Sequence, residues 1–245
     1  MKAVILAAGQ GTRIRSVHGE HPKCLIEVDG NTILDLQLEA LSMAGISDIA
    51  IVVGYEKEQI ISNVKTKSVI NQRIHFIDNP AFAITNNIYS LWLALDWVRG
   101  DSFVVLNADV IFDSDILQSA LRLYAPISMI VDPLWRDETM KVIIEEDRVT
   151  KMSKKITREE FHGTYIGIAV FSKSIQNQFF REMRNLIGSG RVNEFFNIAV
   201  QQLANKGIFV GFTSTEGLAW AEIDDPVDLS FAQRNVFPQL ATVRV

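Results

Sequence analysis

Six apolar residues, Ala3-Val4-Ile5-Leu6-Ala7-Ala8, run without polar interruption into Gly9-Gln10-Gly11-Thr12-Arg13. An apolar run with no alternation reads as a strand covered on both faces, the condition of a strand inside a mostly parallel sheet. The glycine loop behind it then falls at the carboxyl edge of that sheet, where open α/β folds bind their ligands.

Later segments repeat the theme. A helix is expected over about 32–44, with Ile33, Leu34, Leu36, Leu38 and Leu41 near one side and Gly45 as its stop. A buried strand over 49–53 precedes a polar helix from about Lys57, and 74–77 is a short strand. Residues 86–98 read as a helix and 102–106 as another buried strand. This alternation predicts an α/β fold, a Rossmann-like, mostly parallel mixed sheet flanked by helices.

After about Pro126 the pattern changes. Segments 140–145 and 148–152 flank Glu146-Asp147 like a hairpin, and 165–171 is a strand. Helices are expected over about 176–186 and 193–205, and short strands near 208–212 and 220–223. This half reads as a smaller, antiparallel extension of the same sheet. The chain has no internal repeat or Pro-rich linker, so its 245 residues are expected to form one domain, 1–245, in two halves, about 1–125 and 126–245.

Composition removes several functions. With 24 basic and 29 acidic residues the net charge is −5, which argues against a protein that coats nucleic acid. A lone cysteine, Cys24, excludes an intramolecular disulfide and a multi-cysteine metal site. No apolar run approaches the roughly 20 residues that span a bilayer, and the start turns polar too soon for a signal peptide. A cytoplasmic protein without nucleic-acid or membrane partners is expected. A homodimer stays open, because a buried interface and a core look alike in sequence.

The glycine loop carries chemistry. Its backbone N–H groups can cradle a phosphate, since glycine permits close approach and positive φ. Arg13 adds a bidentate fork and Lys23, after Pro22, a point charge. A dinucleotide fingerprint is ruled out by Ile14 in place of the third glycine, and no P-loop is present. Nor does an acid end a strand about 20 residues on, as a dehydrogenase requires. No Ser/His/Asp or Cys/His nucleophile arrangement is visible. The four histidines, His18, His21, His75 and His162, lack ligand spacing, and Cys24, followed by Leu25 and Ile26, reads as a buried thiol.

Two acids follow short apolar strands. Asp109 comes after Phe103-Val104-Val105-Leu106, and Asp224 after Leu218-Ala219-Trp220. A carboxylate there is costly unless it faces a cleft or a cation. Two such carboxylates, with phosphate oxygens and water, suit octahedral Mg2+. Asp225 and Asp228 read instead as helix-start acids.

The string Leu-Ala-Ala-Gly-x-Gly-Thr-Arg with Pro22-Lys23 resembles the signature of nucleotidyltransferases that join an NTP to a phosphorylated small molecule. Val52-Val53-Gly54-Tyr55, Asn107-Ala108-Asp109 and Trp220-Ala221-Glu222-Ile223-Asp224 continue the resemblance in order. It implies a GT-A-like nucleotidyltransferase fold with an antiparallel acceptor-binding lobe. It also implies a magnesium site at Asp109 and Asp224, and charge neutralisation by Arg13 and Lys23 as the catalytic cations. The nucleotide is expected on Leu6, Ala7, Ala8, Gly9, Gly11, Thr12 and Arg13, with Gly54, Tyr55, Asn86, Ser90 and Asn107. Many relatives read Asp-Ala-Asp where this chain has Asn107.

The run Asn86-Asn87-Ile88-Tyr89-Ser90-Leu91 is similar to that of cytidylyltransferases acting on phosphocholine and aminoalkyl phosphonates. Asn and Ser there can read the cytosine edge, so the nucleotide is expected to be CTP. Acceptor candidates are Trp135, Lys141, Lys154 and Tyr165. Thr164 stands where relatives often carry Glu, and Trp135 offers an aromatic face for a quaternary ammonium. The expected activity is CMP transfer from CTP to a small phosphorylated or phosphonate acceptor, of phosphocholine, aminoalkylphosphonate or phospho-amino-acid type. Alternatives are a sugar-1-phosphate nucleotidylyltransferase using UTP, dTTP or GTP, and a degenerate nucleotide-binding regulatory module.

Overall fold

A computed structural model describes residues 1–66 and 72–241. The first half comprises β1 (Lys2–Ala7), a short helix α1 (Arg15–His18), the small hairpin β2 (Glu27–Val28) and β3 (Asn31–Thr32), and α2 (Ile33–Met43). It continues through β4 (Asp48–Val53), α3 (Lys57–Thr66), β5 (Arg73–Asp78), α4 (Asn87–Val98) and β6 (Phe103–Asn107). After a tight turn come β7 (Val110–Phe112), α5 (Ser114–Arg122), β8 (Ile127–Asp132), β9 (Lys141–Glu145), β10 (Arg148–Ser153) and β11 (Gly163–Phe171). The chain closes with α6 (Gln176–Gly188), α7 (Asn197–Asn205), β12 (Val210–Ser214), β13 (Trp220–Glu222), α8 (Pro226–Phe231) and α9 (Phe237–Ala241).

One nine-stranded sheet runs through both halves. β1 lies between β4 and β6, parallel to both, and β5 extends the parallel part. β11 then joins β6 antiparallel, and β8, β9 and β10 continue from it. β12 lies parallel to β8 at the far edge. The fold is thus a mostly parallel α/β sheet with an antiparallel extension.

Both faces of β1 are covered, as its apolar run requires. Val4 and Leu6 join a cluster with Ile88, Leu91 and Leu95 of α4, Phe179 and Met183 of α6 and Leu203 of α7. Ala3 and Ile5 face the opposite layer, with Leu34, Leu38 and Leu41 of α2 and Ile116 and Leu117 of α5. Thr32 starts α2 through a capping box, accepting from the Asp35 amide while Asp35 accepts from its own. A third cluster joins Ile14, Ile26, Ile33, Ile111, Ile223, Leu229 and Phe237, seating α8 and α9 against β7 and β13.

Some expected boundaries move. The helix expected from residue 193 starts at Asn197, because the preceding carbonyls are used elsewhere. Val192 and Glu194 accept from the amides of Asn86 and Ile88, and Asn87 Oδ1 accepts from the Phe196 amide. That segment is tied to the start of α4 and leaves its helical path. The strand expected near 208–212 lies at Val210–Ser214. Sequence reading missed β7, α5 and β8.

Candidate active site

The turn after β6 is the first part of the site. Gln37, fully buried on α2, donates its amide to the carbonyls of Asn107 at 2.7 Å and Val110 at 2.8 Å. This clamps Ala108 and Asp109 between two strands. β13 then pairs antiparallel with β7, opposite Val110 at Glu222, and the Ile223 amide donates to the Asp109 carbonyl at 2.9 Å. Residues more than a hundred positions apart are brought together by this small ladder. The carboxylates of Asp109, Glu222 and Asp224 offer oxygens within 4.8 Å of one another.

Lys23 lies among them. Its Nζ donates to Asp109 Oδ2 at 2.7 Å and also to Asp224 Oδ1. Arg13 adds a pair to Asp224 Oδ2 at 2.7 Å. Lys23 reaches this position because Gly11 adopts φ 57°, and a Cβ on Gly11 would stand 3.0 Å from the Lys23 Cβ. That backbone is left-handed and crowded, so both reasons favour glycine.

The charges respond to burial and to each other. Burial and the adjacent carboxylates of Asp109 and Asp224 push the Glu222 carboxyl up to about 8. Asp224 is held below the usual carboxylate range: burial opposes this, but Lys23, by charge and hydrogen bond, and Arg13 prevail. Lys23 is held above its ordinary value because its carboxylates outweigh the opposing effect of burial. Asp109 Oδ1 and Asn107 Oδ1 are buried without a hydrogen-bond partner among the described residues. A divalent cation fits three converging carboxylates with an unused buried oxygen.

A cavity of about 310 Å³ opens at this carboxyl edge. Leu6, Ala7, Ala8, Gly9, Gly11, Thr12 and Arg13 line it, as do Lys23, Asn86, Ser90, Asn107, Asp109, Lys154 and Asp224. These candidates are therefore gathered at one place. Asn79, buried in its wall, donates through Nδ2 to Ser90 Oγ at 3.1 Å and Thr85 Oγ1 at 3.2 Å. Phe82, Phe195 and Glu222 also line it, and sequence reading had not selected them for the site. For Glu222 the signal was present, since it ends β13 two residues before Asp224.

Other candidates stand elsewhere. Gly54 and Tyr55, expected in the base pocket, are one layer behind the cavity wall: the Tyr55 amide donates to the Ala8 carbonyl at 3.1 Å. Gly54 packs so tightly that a Cβ would meet Phe82 Cβ at 2.7 Å and Ala8 O at 2.9 Å. Trp135, Lys141 and Tyr165 do not line the cavity either. Tyr165 is core, its hydroxyl buried without a hydrogen-bond partner among the described residues. Trp135 and Lys141 form a separate cluster, with Nζ 4.5 Å from the indole centroid. Asp225 and Asp228 form the capping box of α8. His21 pairs with Gln59 and His75 stacks on Trp97, whereas the side chain of His18 lies outside the described residues. Cys24 is buried, and burial lifts its thiol to about 12.

The arrangement gathers a glycine loop, two cations and a carboxylate trio at one sheet edge. The sequence profile of the MobA-like NTP transferase domain matches residues 3–204. The chain belongs to the MobA-like NTP transferase family. This family's match ends before β13, so Glu222 and Asp224 enter the site through the geometry above. The protein is similar to the CTP:phosphoglutamine cytidylyltransferase of Campylobacter jejuni, 27% identical over 94% of this chain and 98% of the relative. The choline-phosphate cytidylyltransferase of Streptococcus pneumoniae is 40% identical over 44% of each chain. Among solved structures, the inositol-1-phosphate CTP transferase of T. maritima superposes with a TM-score of 0.83 at 22% identity, over 99% of this chain and 96% of that one. The family places the chain among nucleotidyltransferase enzymes. Among the described residues, no helix is long and apolar enough to cross a membrane.

Proposed function

We propose that this nucleotidyltransferase moves CMP from CTP to a small acceptor carrying a phosphate or phosphonate, with release of pyrophosphate. The observation that carries the reading is the cavity in which Arg13 and Lys23 face Asp109, Glu222 and Asp224, with Asn86 and Ser90 on its wall. The cytidylyltransferase activities of the relatives named above support CTP as the nucleotide.

In this reading the glycine loop holds the phosphate chain by its amides, while Arg13 and Lys23 draw off negative charge as the pentavalent centre forms. The acceptor oxygen attacks the α-phosphorus, and the bond to pyrophosphate breaks. That oxygen is already ionised near neutral pH, so the site needs alignment and not a base. Lys154, on the cavity wall, meets the acceptor phosphate in this reading. Asn86 and Ser90 read the base edge, Ser90 oriented by Asn79. Asp109 and Asp224, with Glu222, would hold Mg2+, which when bound supplies charge neutralisation and a template for the phosphate oxygens.

Pyrophosphate release measured across CTP, UTP, dTTP and GTP, crossed with phosphorylated amines, phosphonates, amino-acid phosphates and sugar phosphates, tests this. CTP with a non-sugar acceptor is the expected pair. Turnover confined to sugar phosphates with UTP, dTTP or GTP would overturn it.

A further inference from the structure

At the start of α4 the cavity wall is polar, and its hydrogen bonds fix which way each group points. Asn79 follows β5, is buried, and accepts at Oδ1 from the Ala81 amide at 3.0 Å. A backbone amide only donates, so the other end of that side chain is its Nδ2 group. The two Nδ2 hydrogens go to Ser90 Oγ at 3.1 Å and Thr85 Oγ1 at 3.2 Å. Thr85 passes its own hydrogen to the Ala81 carbonyl at 2.8 Å. Ser90 differs. Its oxygen accepts from Asn79, and among the described residues no acceptor takes its hydroxyl hydrogen. The side chain is buried and lines the cavity, so the cavity is where that hydrogen finds an acceptor.

The neighbouring side-chain amides obey the same rule. Asn86 Oδ1 accepts from the Asn87 amide and Asn87 Oδ1 from the Phe196 amide, each at 2.8 Å. Their Nδ2 groups are the ends without a partner among the described residues, and both residues line the cavity. The amides of Asn86 and Ile88 are already spent on the carbonyls of Val192 and Glu194. This wall therefore offers side-chain donors.

Base edges differ in what they bring to donors. Cytosine carries two adjacent acceptors, N3 and O2. Uracil and thymine place an N–H between two carbonyls, and guanine turns two N–H groups to the same edge. An N–H set against the Ser90 hydrogen leaves two donors unpaired in a buried place, which is costly. Ser90 could accept from that N–H only by sending its own hydrogen elsewhere, and no protein acceptor among the described residues takes it. We propose that Asn79 is the positioning residue for base choice: it turns the Ser90 hydroxyl hydrogen into the cavity, where it meets cytosine N3. This rests on the cytidylyltransferase reading and names the contact that enforces it.

The test is calorimetric titration of the intact protein with CTP, UTP, dTTP, GTP and 3-deaza-CTP, in which a C–H replaces N3. The wild type should bind 3-deaza-CTP and UTP roughly tenfold or more weakly than CTP. Asn79→Asp supplies a carboxylate that accepts the Ser90 hydrogen and turns it away from the cavity. Asn79→Asp and Ser90→Ala should each bring the Kd values of CTP and 3-deaza-CTP close together, whereas a loss of structure alone would weaken both ligands equally. Equal binding of CTP and 3-deaza-CTP by the wild type, or an unchanged ratio in Asn79→Asp, would overturn this inference and leave CTP transfer standing. The wild-type comparison and Ser90→Ala decide even if Asn79→Asp fails to fold. Tighter binding of UTP, dTTP or GTP than of CTP would overturn both readings.

Discussion

Lys23 Nζ lies 2.7 Å from Asp109 Oδ2, joining the segment after Pro22 to the turn after β6 across 86 positions of sequence. The same ammonium reaches Asp224, so one side chain ties three segments of the site together. Replacement by Met leaves clustered carboxylates without their central cation. Lys23→Met should lower kcat by about a hundredfold, the scale of losing one preorganised charge. It should also destabilise the protein without added metal by about 2 kcal/mol, the scale of a charged hydrogen bond. Steady-state kinetics and urea unfolding in EDTA measure the two effects. Unchanged turnover would remove Lys23 from the chemistry.

Asp109 and Asp224 supply the next prediction. Each accepts from Lys23, and each can be removed while the other keeps the lysine paired. Asp109→Ala and Asp224→Ala should each abolish magnesium-dependent turnover, with the circular dichroism spectrum retained. Full turnover in both variants would show that the metal assignment is wrong.

The sheet was legible because β1, β4 and β6 are apolar on both faces and carry no competing pattern. The glycine loop was legible for the same reason, since it interrupts that pattern abruptly. What escaped was set by long-range pairing. β7 and β13 are three residues each, too short for a periodicity, and only their ladder brings Glu222 to Asp109. Gln37 reads as one more helical residue until its amide is seen clamping the turn after β6. Gly54 and Tyr55 matched a motif, but their constraint is packing against Ala8 and Phe82, and packing leaves no trace in spacing.

Glu222 gives the site a pH signature. In the folded protein without metal its carboxyl titrates near 8, raised by burial and by Asp109 and Asp224, against an ordinary value of 4.5. Below about 4.5 both folded and unfolded states hold the proton, so the group adds no pH dependence. Between 4.5 and about 8 the unfolded chain has lost it and the folded protein has not, so stability falls as pH rises. Glu222→Gln should flatten that decline. Urea unfolding midpoints at pH 5, 6.5 and 8.5 in EDTA provide the measurement, and an equal slope in both proteins would remove Glu222 as its source.

Gly54 tests how closely the wall behind the cavity controls it. An added Cβ would stand 2.7 Å from Phe82 Cβ, 2.9 Å from Ala8 O and 3.0 Å from Ala8 Cβ, two of them on the backbone segment that lines the nucleotide side. Neither Ala8 atom belongs to a flexible chain end, so relief requires the edge of β4 to separate from the loop after β1. Gly54→Ala should cost about 1–3 kcal/mol, the range for overpacking a tight interior. Because Ala8 and Phe82 both line the cavity, the KM for CTP should rise several-fold while kcat changes less. Unfolding curves and initial rates on the same preparation separate the effects. A stable variant with an unchanged KM would show that β4 and the loop can part without disturbing the site.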